Sequence, residues 1–165
     1  MEIFDFAIQM EKDGEKYYRE LMLASKTVGL QKIFALLADE EVKHCTVIEQ
    51  LRLKTGPQQV KGTRVLENVK NIFIEMRDSK DNLRTHTTET TAAYQKALDI
   101  EDMSRRFYLE KAEEAVDEPT RLLFGQLAKE EEKHLRIMEN IVEFVSKPES
   151  GSWLENAEWH HLDEY

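Results

Sequence analysis

The chain has 165 residues, enough for one domain with a sizeable core. Hydrophobic residues make up 41% and charged residues 34%, and only 6 Gly and 3 Pro are present, which excludes a strand-and-turn fold and points to helices facing solvent. The net charge of −10 argues against a nucleic-acid partner, whose phosphates need a basic face. The single cysteine, Cys45, rules out an internal disulfide and any site built from Cys pairs. The opening stretch, MEIFDFAIQMEKDGEKYY, is charged throughout and lacks the apolar core of a secretion signal. No apolar run approaches the ~18 residues that cross a membrane. The chain reads as cytoplasmic, with no membrane partner.

Helical periodicity dominates from the start. It predicts a first helix over about 3–27 and a second over about 29–54, stopped by Gly56-Pro57. Residues 57–63 read as a loop. Residues 64–84 read as a further helix, with Val65, Val69, Ile72, Phe73 and Met76 on one side. The run Thr85–Thr91 is rich in a weaker helix former and reads as a junction. The next long helix spans about 92–116. Asp117 is placed to cap the last one, with Pro119 tolerated in its first turn, and that helix runs to about 146. A tail over 148–165 carries Trp153, Trp159, His160, His161 and Tyr165, and reads as a segment that packs on the bundle or on a partner subunit.

The short connections make 3–54 and 92–146 two antiparallel hairpins, joined by a long crossover at 55–91. Two hairpins with one long crossover is the ferritin-like form of the four-helix bundle. The expected fold is therefore all-α, in one domain over 1–147.

The hairpins are copies. An offset of 90 residues pairs Glu11 with Glu101, Glu41 with Glu131 and His44 with His134. It also pairs Ala7 with Ala97, Tyr18 with Tyr108, Phe34 with Phe124 and Lys43 with Lys133, with no gap. Two EExKH segments, Glu40–His44 and Glu130–His134, thus keep register with a glutamate upstream of each.

The polar residues sit where a bundle buries them. In the second helix Leu30, Phe34, Leu37, Glu41, His44, Ile48 and Leu51 alternate by four and three, the inward seam of a bundle helix. The last helix repeats this with Phe124, Leu127, Glu131, His134, Met138, Ile141 and Val145. The partner helices supply Ala7, Glu11, Gly14 and Tyr18, and Ala97, Glu101, Ser104 and Tyr108. Glu49 and Glu139, and likewise Glu40 and Glu130, fall off the seam and read as solvated.

Four carboxylates in one core repel and resist burial unless something positive lies among them. A set of core salt bridges would need Lys or Arg on the central layers of the seam, and none falls there. Two divalent cations bring +4 against the four carboxylates, with two imidazoles completing the set. Glu-x-x-His puts both side chains on one helix face, within reach of one ion. Glu11 and Glu101 then bridge or cap from the partner helices, and Gly14 and Ser104 leave room for a small molecule. Oxygen-rich ligation with one imidazole per ion suits two iron ions first and manganese second. Tyr18 and Tyr108 are core residues in need of a hydroxyl partner, which a ligand carboxylate would satisfy.

The pattern resembles rubrerythrins and other ferritin-like di-iron carboxylate proteins, over roughly 3–146. The resemblance implies metal ligation by Glu11, Glu41, His44, Glu101, Glu131 and His134, and the spacing of Tyr18 and Tyr108 from their glutamates is also similar. It implies a non-haem di-iron peroxidase or oxidoreductase that reduces hydrogen peroxide or O2. Without Cys pairs for a rubredoxin-type centre, electrons would come from an external donor such as a rubredoxin-type protein. Rubrerythrins carry a further Glu three residues after the ligand of the third bundle helix. That position here is Ser104, so the six-ligand set is more similar to the bacterioferritin centre. A ferroxidase or iron-handling role, and a non-catalytic helical binding module, are the alternative readings. The expected assembly is a homodimer, in which the long crossover allows exchanged hairpins.

Overall fold

A computed structural model describes residues 2–54, 64–79 and 88–146. The predicted loop at 57–63, residues 80–87, and the tail with Trp153, Trp159, His160, His161 and Tyr165 lie outside the described residues. Five helices follow in order: α1 (Ile3–Ala24), α2 (Val28–Leu53), α3 (Val65–Ser79), α4 (Thr88–Glu114) and α5 (Glu118–Ser146). No strand occurs among the described residues. The protein is all-α, a ferritin-like bundle of two helical hairpins.

The ends of the helices have local causes. Between α1 and α2, the Gln31 side chain donates to the Ser25 carbonyl at 2.6 Å and holds the short link. α2 ends at Lys54, whose left-handed backbone (φ 53°) returns its N–H to the carbonyls of Gln50 and Leu51. Asp117 caps α5, accepting from the Thr120 N–H at 3.0 Å and the Thr120 hydroxyl at 2.8 Å. α4 starts earlier than the threonine-rich composition predicts. Residues 88–91 are helical rather than part of a junction. Threonine costs a helix only a few tenths of a kcal/mol per residue, too little to stop one.

α1 packs mainly on α2, and α4 on α5, while α3 lies against α2 and α5. The approach of α3 depends on Gly29. A Cβ there would collide with Cγ and Sδ of Met76, which is itself buried on α3. The apolar core falls into two clusters. The larger includes Tyr18, Leu30, Phe34, Phe73, Tyr94 and Phe144 and is covered by α3. The smaller includes Ala7, Ile48, Leu51, Tyr108, Phe124 and Leu127. Along each bundle helix the ionisable residues fall between members of one cluster and members of the other. The polar layer is therefore sandwiched in the middle of the bundle, screened from water by apolar residues at both ends.

Candidate metal centre

Each hairpin delivers one glutamate from its first helix and a Glu-x-x-His pair from its second. Helical periodicity puts Glu41 and His44 on the inner face of α2, and Glu131 and His134 on the inner face of α5. Glu11 from α1 and Glu101 from α4 meet them. All six are at most 3% exposed.

The contacts come in pairs related by the sequence repeat. His44 Nδ1 lies 3.1 Å from Glu131, 3.4 Å from Glu11 and 3.9 Å from Glu41. His134 Nδ1 lies 3.3 Å from Glu41, 3.6 Å from Glu101 and 4.0 Å from Glu131. The two imidazoles stack at 5.4 Å with 8° between their planes. The tyrosines cross over in the same way: the Tyr18 hydroxyl donates to Glu101, and the Tyr108 hydroxyl donates to Glu11. An aromatic layer backs each tyrosine, Phe34 and Tyr94 on one side and Phe124 and Phe4 on the other.

Two sets of four ligand atoms come together closely enough to hold a metal ion. One is Glu11, Glu41, His44 and Glu131; the other is Glu41, Glu101, Glu131 and His134. Glu41 and Glu131 belong to both sets, whereas Glu11 and Glu101 each belong to one. The sequence left open whether Glu11 and Glu101 bridge or cap. Glu11 and Glu101 stand at the two ends of the cluster, and the α2 and α5 glutamates stand in the middle. The room that Gly14 leaves is taken by the Glu41 carboxylate, which a Cβ on Gly14 would meet at 3.4 Å.

Electrostatics divides the four carboxylates. Burial raises every one of them, and like charges add to this in Glu41 and Glu131, which are pushed well above the usual carboxylate range. In Glu11 burial is outweighed by the charge of His44 and by hydrogen bonds from Glu41, His44 and Tyr108, which bring it down to about 2. In Glu101 the charge of His134 and hydrogen bonds from Glu131, His134 and Tyr18 likewise win over burial, and it is lowered. Burial, then the charge of Glu101 or Glu11, keeps Tyr18 and Tyr108 protonated far above the usual phenol range. The central pair, Glu41 and Glu131, is thus the pair that resists ionisation, and the outer pair, Glu11 and Glu101, the pair that favours it.

The family model for rubrerythrin matches residues 2–142. The chain belongs to the rubrerythrin family. Comparison with curated proteins and with solved structures gives no match. The donor set fits the metal that rubrerythrins carry. Glu11 Oε2, Glu101 Oε2 and the Nε2 atoms of both histidines are buried without a hydrogen-bond partner. Buried polar atoms are rarely left unpaired unless they serve a ligand or an unplaced partner. The oxygens face the carboxylate layer, where two cations would satisfy them.

Glu40 and Glu130 depart from the sequence reading. They are 5% and 4% exposed, not solvated. Lys43 reaches Glu40 at 3.1 Å and Lys133 reaches Glu130 at 2.8 Å, so each carboxylate is compensated locally. Strict alternation of four and three counts two inward positions per heptad, whereas a helix in a bundle buries a wider stripe. The repeat carried the missing signal, because it preserves the whole EExKH segment and not just its ligands. Cys45 is half-buried on the flank, its thiol directed at the Ile8 carbonyl. Burial and the charge of Glu11 push that thiol up to about 11, which makes it a poor nucleophile. No helix among the described residues is long and apolar enough to cross a membrane.

Proposed function

We propose that this rubrerythrin-family chain is a di-iron oxidoreductase that reduces hydrogen peroxide or O2, with electrons from a separate donor of the rubredoxin type. The observation that carries this reading is the doubled, buried Glu/His layer with two four-ligand sets sharing Glu41 and Glu131. Glu11 and His44 would complete the set for one ion, Glu101 and His134 that for the other. Four carboxylates balance two ferrous ions, so the loaded layer is neutral, which removes the repulsion that raises Glu41 and Glu131. Bound iron would supply one electron from each ion, the two that conversion of peroxide to water consumes.

The protein's own groups shape that chemistry. Tyr18 and Tyr108 hold Glu101 and Glu11 by one oxygen each, so that the second oxygen stays inside the buried layer. The two apolar clusters keep bulk water from the layer. Two surface cavities of about 630 and 590 Å³ open on the α1–α2 and α4–α5 faces, and no ligand residue lines either. A substrate the size of peroxide or O2 is favoured by that enclosure over a larger organic molecule. A homodimer is the assembly we propose; a mass by light scattering in the range of a hollow shell would favour iron storage instead.

Stopped-flow spectroscopy of the reduced, iron-loaded protein tests the reaction. Peroxide should oxidise the bound iron faster than it oxidises free ferrous ion. Equal rates would overturn the assignment.

A further inference from the structure

Beside the two histidines lies a buried carboxylate with one oxygen left unpaired. Glu40 is 5% exposed, and Lys43 holds its Oε1 at 3.1 Å. Its other oxygen, Oε2, is buried without a hydrogen-bond partner. The Nε2 atoms of His44 and His134 are in the same condition. A carboxylate oxygen of Glu40 and one nitrogen of each ring lie within 4.8 Å of one another. Meanwhile the Nδ1 atoms of both rings already lie against the four seam glutamates, at 3.1 to 4.0 Å.

Three clustered buried side chains, each with a polar atom that lacks a hydrogen-bond partner, call for an explanation. A third cation is one solution, but the Lys43 ammonium already neutralises Glu40. A hydrogen bond is the other. A neutral imidazole that ligates through Nδ1 carries its proton on Nε2 and must donate it outward. A separation of this size is closed by a turn of the glutamate side chain or by one bridging water.

We infer that Glu40 is a positioning residue, whose free carboxylate oxygen accepts the outer N–H of the stacked imidazoles and fixes their Nδ1 atoms toward the metal ions. This rests on the di-metal reading above. Its repeat mate differs. Glu130 is bound by Lys133 at 2.8 Å and has no orphaned oxygen among the described residues, so it serves as the internal control.

The test uses the full chain loaded with Co(II). Cobalt affinity is read by chelator competition, and the imidazole N–H protons by their hyperfine-shifted, solvent-exchangeable NMR signals. Glu40→Ala should weaken cobalt binding about ten- to a hundred-fold and lose the N–H signals to rapid exchange. Glu40→Gln, which keeps an acceptor oxygen, should restore most of both. Lys43→Met and Glu130→Ala should stay near the unsubstituted protein. Wild-type affinity and signals in Glu40→Ala would overturn the proposal, and so would an equal loss in Lys43→Met, which would assign the effect to the ion pair. If the unsubstituted protein takes up no cobalt, the di-metal reading itself falls. Cobalt uptake without a Glu40 effect sinks the positioning role alone.

Discussion

Residues 90 apart bring the same glutamates and histidine into the layer from each hairpin, yet one turn outward the likeness stops. On the first hairpin Arg19 closes on Asp39 at 2.8 Å; the matching positions on the second are Leu109 and Lys129, which line an apolar-floored cavity with Arg105 and Gly125. Lys43 has a side chain 65% exposed, while that of Lys133 is 17% exposed. Inside, the distances from each histidine to the three glutamates around it agree between the halves to within 0.2 Å: 3.1 and 3.3, 3.4 and 3.6, 3.9 and 4.0 Å. The reason lies in the size of the effects. A surface ion pair contributes about 0–1 kcal/mol and can be exchanged freely. A buried carboxylate left without its partner costs several kcal/mol. Because the contacts are reciprocal, a change in one half leaves an uncompensated group in the other.

The largest effect should come from breaking the inner symmetry at its shared members. Glu41→Ala or Glu131→Ala removes a carboxylate common to both ligand sets, and metal content measured by elemental analysis should fall toward zero. Glu11→Ala or Glu101→Ala touches one set and should leave about one ion per chain. Equal losses from all four variants would mean that Glu41 and Glu131 are not shared.

A second prediction separates the empty layer from the loaded one. Glu11 is lowered to about 2 and Glu101 is lowered, so their stabilising contribution is full above the unfolded value of 4.5 and is lost as pH falls through the folded one. Glu41 and Glu131 are raised, chiefly by burial and then by neighbouring glutamates. Their contribution is full below 4.5 and is lost as pH rises through their raised values. Metal-free protein should therefore lose stability on the alkaline side, and metal-loaded protein should not. Uptake of two ions should release the protons of Glu41 and Glu131. Calorimetry in two buffers of different ionisation enthalpy would show this, and a binding heat independent of buffer would contradict it. Replacing both residues by Met should abolish binding and stabilise the metal-free protein by about 1–4 kcal/mol, since apolar side chains of similar volume remove the repulsion.

These contrasts also show what a sequence can reveal. The repeat, the four-three seam and the convergence of its six ionisable residues were legible because burial in a bundle imposes a period that substitutions outside it do not blur. The crossed hydrogen bonds from Tyr18 to Glu101 and from Tyr108 to Glu11 were not, since spacing within a helix does not say which neighbour a hydroxyl meets. Glu40 and Glu130 were hidden because each stands one residue from a ligand, at the edge of the inner stripe. The start of α4 at Thr88 was hidden because intrinsic propensity is only a weak guide to where a helix begins.

The smallest effect tests how far the repeat extends into the turns. Positions 27 and 117 are mates, Thr27 before α2 and Asp117 before α5. Asp117 accepts two hydrogen bonds from Thr120, while Thr27 makes no side-chain cap bond, its link being held by Ser25 and Gln31 instead. Asp117→Ala should cost about 1 kcal/mol, as lost N-caps do, and thermal unfolding of the chelated protein would register it. Thr27→Ala should cost less, because no capping bond is lost. Position 29 sharpens the contrast: Gly29 clears Met76 of α3, and its mate Pro119 sits in the first turn of α5. The first hairpin's turn is thus shaped by what packs over it, and the second's by its own cap. Equal costs at positions 27 and 117 would show that the two turns are held alike after all.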